Sequence, residues 1–120
     1  MDRLQALHNF WSSFSLKAYD ENTVSETAAL PYITYNVVEG YFENSVAMTA
    51  SLWYRTKSWA AISQKADEIG AAIGYGGKLT KADDCTLWIK RGMPFSQRVS
   101  DEDDTIRRIL INIEVEFLRI

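Results

Sequence analysis

The sequence predicts an α+β domain ordered α-β-β-α-β-β, with a four-stranded, mainly antiparallel sheet and both helices packed on one face. Two observations carry this. Two segments place apolar residues at three- and four-residue steps, the period of a helix face. Two others alternate apolar and polar residues, the period of a half-buried strand.

The opening segment is a helix by its Leu4, Leu7, Phe10, Trp11 and Phe14, and it frays near Lys17. A polar run from Asp20 to Thr27 follows, long for a loop, and Pro31 suits the entrance to a strand. Tyr32 to Val38 is β-branched and aromatic, and a turn with Gly40, Glu43, Asn44 and Ser45 leads to a second strand, Val46 to Arg55. In that strand Val46, Met48, Ala50, Leu52 and Tyr54 point one way. Thr56 or Ser58 caps a second helix, striped by Trp59, Ile62, Ala66, Ile69 and Ile73, and Gly74 stops it. After a short connector the third strand covers about Thr86 to Arg91, and the segment from Gly92 to Asp104 is polar and turn-prone. The last strand starts near Thr105, with Ile109, Ile111, Ile113, Val115 and Phe117 on its buried face.

At 120 residues the chain is one domain, residues 1–120, long enough to bury roughly two thirds of its unfolded surface. Apolar residues at 47% and charged residues at 24% are those of a globular fold. A single cysteine, Cys85, cannot form an internal disulfide, which fits a reducing compartment. No signal-peptide pattern opens the chain, and no stretch approaches the ~20 apolar residues of a membrane helix, so a soluble protein is expected. The net charge of -3 weighs against duplex DNA as a ligand. From Asp20 to Glu43 there are acidic residues and no Lys or Arg, whereas Arg55 to Arg91 leans basic.

No catalytic, cofactor or metal site assembles from these residues. The only histidine, His8, borders the apolar face of the first helix, and Cys85 reads as a small buried hydrophobe. One Cys and one His cannot make a zinc site. Asp83-Asp84 and Asp101 to Asp104 lack the spacing of a calcium loop and read as solvated turns. The glycines Gly74, Gly76 and Gly77 end a helix instead of opening one, so they are a helix stop and not a phosphate loop. The chain is therefore expected not to be an enzyme.

What remains is surface. Two helices cover one sheet face and nothing is left for the other, which carries Thr49, Ser51, Trp53, Lys90, Asn112 and Glu114, with Trp88 on it or near it. Trp53 and Trp88 are expected to lie exposed beside Leu110 and Leu118 and to anchor another copy or a partner. The long last strand is expected to offer an uncovered edge to the same end. The alternative is a small binding module that stacks single-stranded nucleic acid or holds a peptide on this face. The acidic balance and a strand order unlike that of an RNA-recognition module weigh against nucleic acid.

Several segments together resemble the tail terminator, or tail completion, proteins of long-tailed bacteriophages, a group of minor capsid proteins. They are Leu30-Pro31-Tyr32-Ile33-Thr34-Tyr35, Ser51-Leu52-Trp53-Tyr54, the helix from Ala60 to Ile73, Gly92-Met93-Pro94-Phe95-Ser96-Gln97-Arg98, and the arginine-bearing last strand from Arg107 to Val115. The resemblance implies a homo-oligomeric ring, usually of six copies, that caps the tail tube and meets head-closure or connector proteins at the head–tail junction of a virion. It implies no catalytic residue, no cofactor and no specific nucleic-acid binding, although DNA passes through such a ring. On this reading Met93, Pro94, Phe95 and Arg98 join Trp53 and Trp88 as contacts to a neighbouring copy or the tail tube. Asp20, Glu21, Glu26, Glu39 and Glu43 would rim the channel, where negative walls limit sticking of DNA.

Overall fold

A computed structural model describes residues 1–42 and 44–119. In chain order the elements are α1 (Arg3–Ser12), β1 (Lys17–Asp20), β2 (Tyr32–Tyr35), β3 (Ser45–Arg55), α2 (Ala60–Ile73), β4 (Lys78–Lys81), β5 (Thr86–Val99) and β6 (Ile106–Leu118). The α+β class and the pair of helices are as expected. The sheet has six strands where four were expected, in the order β1-β2-β3-β6-β5-β4. It is mixed where a mainly antiparallel one was expected, because β1 runs parallel to β2 while the other neighbours run antiparallel.

Both additional strands are four residues long. A Lys-Ala-Tyr-Asp or Lys-Leu-Thr-Lys run holds too few pleats to show a period, and each borders a helix or turn signal that masks it. The expected polar loop after α1 is thus the crossover that returns the chain from β1 to β2. The last strand is also not an edge: β6 lies between β3 and β5 and is paired along both sides, so the edges are β1 and β4.

Asp2 caps α1 by accepting from the Gln5 N–H at 2.8 Å. The helix buries Ala6, Leu7, Phe10 and Trp11, while Leu4, expected on that face, is 48% exposed. Phe10 packs edge-on against both Trp11 and Phe14. In α2 the buried stripe is Ile62, Ala66, Ile69, Gly70 and Ile73. The cap residue there is Trp59 and not the expected Thr56 or Ser58; the Ser58 hydroxyl accepts from the Ala60 N–H at 3.1 Å in the entry turn. Gly74 ends the helix at φ 76, a left-handed value that favours glycine, and donates to the Gly70 carbonyl.

The core is one cluster between the helices and the inner sheet face, with Met48, Ala50 and Leu52 of β3 beside Ile109, Ile111, Ile113, Val115 and Phe117 of β6. Each of these side chains larger than alanine contributes about 1.5–3 kcal/mol on leaving water. α2 packs on β3, β5 and β6, whereas α1 touches both β1 and β4, so the sheet curls around the helices. Burial pushes the Cys85 thiol and the Tyr35 and Tyr54 hydroxyls up from their ordinary values. Among the described residues no helix is long and apolar enough to cross a membrane.

Candidate assembly surface

The outer sheet face is not bare. Trp53 lies on it, half-buried, with the Arg108 guanidinium 4.6 Å over its ring and its indole N–H donating to Thr34 Oγ1 at 2.9 Å. Arg108 Nε donates to Ser51 Oγ at 3.1 Å. This pair roofs the strands beneath, which is why Thr34 and Ser51, although outward-facing, are only 9% and 4% exposed. Trp88 donates to the Gly76 carbonyl at 2.9 Å, and Lys90 Nζ sits 4.4 Å from its ring while reaching Glu116 at 3.6 Å. Trp59 stands near two guanidiniums, Arg98 at 4.6 Å and Arg107 at 5.3 Å. Three of the tryptophans therefore carry a cation of their own chain, an arrangement that desolvates part of each ring.

Trp53 and Trp88 do not form one patch. Trp53 stands opposite Arg108 and Trp88 opposite Glu116, eight positions further along β6, which is about 26 Å of strand. Leu110 accompanies the first and Leu118 the second.

The segment expected to be a turn-prone loop from Gly92 is strand as far as Val99, broken by a bulge. Arg91 pairs with Ile113 and Ser96 with Ile111, so residues 92–95 stand opposite Asn112 alone. The bulge explains how a strand holds Pro94, which cannot donate to a ladder. Asn112 Nδ2 donates to the Pro94 carbonyl at 2.9 Å, clipping the bulge in place. Met93 and Pro94 project outward, Met93 at 97% exposure. Phe95 turns the other way and packs on α2: its ring would lie 3.0 Å from a Cβ at Gly70, so the glycine makes room for it.

This geometry separates two roles that the sequence joined. Phe95→Asp is expected to lower fold stability by about 2 kcal/mol, measured by denaturant unfolding, because it removes a half-buried ring. Met93→Asp is expected to stay within about 0.5 kcal/mol of wild type, since nothing in the chain covers it. Equal stability of the two variants would contradict the packing of Phe95 on Gly70.

The acidic residues lie on two connections. Asp20 ends β1 and accepts from the Asn22 N–H at 2.9 Å, with Glu21 and Glu26 exposed on the crossover that follows. Glu39 is exposed between β2 and β3, in a shallow depression it shares with Arg3, Leu4, Asp83 and Asp84. Glu43 lies outside the described residues. Asp103 turns inward on its own turn, where hydrogen bonds from Thr105 hold its carboxyl below the usual range. His8 Nδ1 meets the Tyr35 hydroxyl at 2.9 Å. Among the described residues no group of three His, Cys, Asp or Glu side chains is placed to hold a metal ion.

Sequence reasoning missed Leu79 and Tyr75, which are 64% and 101% exposed at β4 and just before it. It also missed Arg108 as the partner of Trp53, although its place in the alternating pattern of the last strand was readable.

No family model matches the chain, and no protein with a curated description matches it. Its fold does occur among solved structures. One is a chain from the virion of a native gene transfer agent particle, matched at TM-score 0.63 and 14% identity over 97% of this chain and 94% of the other. A second solved chain matches at TM-score 0.63 and 10% identity, over 97% and 90%. At such identities what is shared is the fold.

Proposed function

We propose that the chain is a structural, non-catalytic component of a virion: a copy in a ring that caps the tail tube and forms the tail side of the head–tail junction. The observation that carries this reading is the match, nearly end to end in both chains, to a chain from a gene transfer agent virion. The resemblance of its sequence segments to tail terminator proteins points the same way. The surface supports a contact role, with Met93, Tyr75 and Leu79 exposed and both sheet edges unpaired. Its partners on this reading are further copies of itself, the tail tube and a head-closure or connector protein. DNA passes through without specific binding.

The competing reading, a module that stacks single-stranded nucleic acid on the sheet face, is disfavoured by the cations already over Trp53 and Trp88. A base would have to displace a side chain that the protein supplies itself. Sedimentation over a wide concentration range, with electron microscopy of the largest species, tests the proposal. Closed rings are the expected result. A strictly monomeric protein that binds single-stranded DNA would overturn it in favour of the module.

A further inference from the structure

The sheet ends in two strands that are paired on one side only. Among the described residues, no backbone hydrogen bond beyond those to β2 and β5 reaches Lys17–Tyr19 or Lys78–Lys81. An uncovered edge of this kind is a template for another strand, and soluble proteins usually blunt it. β4 is short and carries Lys78 and Lys81, which guard it against a like edge, but between them it presents Leu79, largely exposed. β1 presents Lys17, Tyr19 and Asp20, with Glu21 next. None of the ion pairs among the described residues uses Lys78, Lys81, Asp20 or Glu21. β4 is basic, and β1 is acidic at its end, past the single Lys17 at its start; neither set is neutralised by an ion pair among the described residues.

We infer that β4 of one copy adds in parallel to β1 of the next, so that the sheet runs on from copy to copy. This rests on the ring reading above and states how the ring is joined. Strand direction sets the pairing. β1 runs with β2, and each further neighbour reverses, so β1 and β4 point the same way. Copies related by rotation about a ring axis keep that direction, and their edges meet in parallel.

Side-chain facing sets the register. Leu79 shares the outer face with Trp88, and Tyr19 shares it with Thr34, Ser51 and Leu110. Placing Leu79 beside Tyr19 keeps the outer face continuous and, in parallel, brings Lys81 beside Glu21 and Thr80 beside Asp20. A two-fold pairing of β4 with β4 would instead gather the lysines of both copies, which like charges disfavour.

The stagger of the edges agrees with closure. Tyr19 lies level with Leu110 through Thr34 and Ser51, and Leu79 lies level with Glu116 through Trp88. The six positions from Leu110 to Glu116 are about 20 Å of strand, against about 29 Å across six strands. A strand tilt of about 35° to the ring axis absorbs that offset, at the lower end of the roughly 35–45° of closed sheets. Such a head-to-tail contact has to close into a ring or run on as a filament.

The test is pairwise cross-linking, with Leu79→Cys and Tyr19→Cys prepared as separate variants; the native Cys85 is buried. Mild oxidation of the mixture is expected to give linked dimers, and oxidation of either variant alone is expected to give none. Lys81→Glu and Glu21→Lys should each weaken association about tenfold, and the double exchange should return it to within about threefold of wild type. Dimers from one variant alone would mean a two-fold contact and overturn the inference. A wild type that assembles, with no mixed cross-link and no response to charge exchange, overturns the edge pairing but leaves the ring. A wild type that stays monomeric overturns both.

Discussion

Trp11→Ala is expected to cost about 3–5 kcal/mol of folding stability, the range for truncating a large aromatic in a packed core. Trp11 is 1% exposed and among the largest side chains fully removed from water. It stands edge-on to Phe10 at 4.8 Å between ring centroids, and Phe10 stands edge-on to Phe14 at 5.3 Å, so the loss propagates along α1. A domain of this size has about 5–15 kcal/mol in total, so the variant sits near the threshold of unfolding. Leu4→Ala on the same helix is expected to cost less than about 1 kcal/mol, because half of Leu4 already faces water. Urea unfolding of the two variants checks the orientation of α1. Comparable losses would mean that the helix is rotated toward Leu4.

Long periodic segments were legible and short ones were not. β3, α2 and β6 each show several repeats of their period, and the residues read as their buried stripes are largely the ones found in the core. The exceptions sit where the period is short or where a neighbour supplies the cover. Tyr54 and Val46 lie at the ends of β3 and are half-buried. β1 and β4 are invisible in the sequence because four residues hold too little pattern, and without them the last strand, which is central, reads as an edge. The bulge in β5 misled for another reason: Gly92 and Pro94 are turn residues by composition, yet their effect here is to insert residues into a strand that continues. Gly92 fits because a Cβ there would lie 2.8 Å from the Asn112 carbonyl oxygen.

The candidate surface was legible as residue types and not as an arrangement. Trp53 and Trp88 face outward but are half-buried where exposure was expected, because their cation partners depend on cross-strand register, which a sequence period leaves open. Stacked arginine and lysine make the outer face a poor place for bare hydrophobic adhesion. The edges, with Leu79 in the open between two lysines on β4 and with Asp20 and Glu21 at the end of β1, are then the surface that a second copy would complete.

Gly77→Val tests that edge through the fold itself. Gly77 enters β4 at φ 88, in the left-handed region where a β-branched residue is strained by about 1–3 kcal/mol. A Cβ there would also lie 2.5 Å from Trp88 Nε1 and 2.8 Å from the Ile89 carbonyl oxygen. The first contact can be relieved by moving the indole, which breaks its bond to the Gly76 carbonyl; the second is backbone and cannot be relieved without opening the β4–β5 pair. Strain and overpacking together are expected to cost about 4 kcal/mol. The cheapest escape is for β4 to detach while the core between α2, β3 and β6 stays formed. Hydrogen exchange should then show fast exchange confined to Lys78–Lys81 and its partners on β5, together with loss of assembly. Gly76→Val is the control, since nothing lies within 4 Å of its Cβ position and its φ is not positive. It is expected to change stability by no more than about 0.5 kcal/mol and to assemble as wild type does. Unimpaired assembly of a Gly77→Val protein with a detached β4 would remove β4 from the interface.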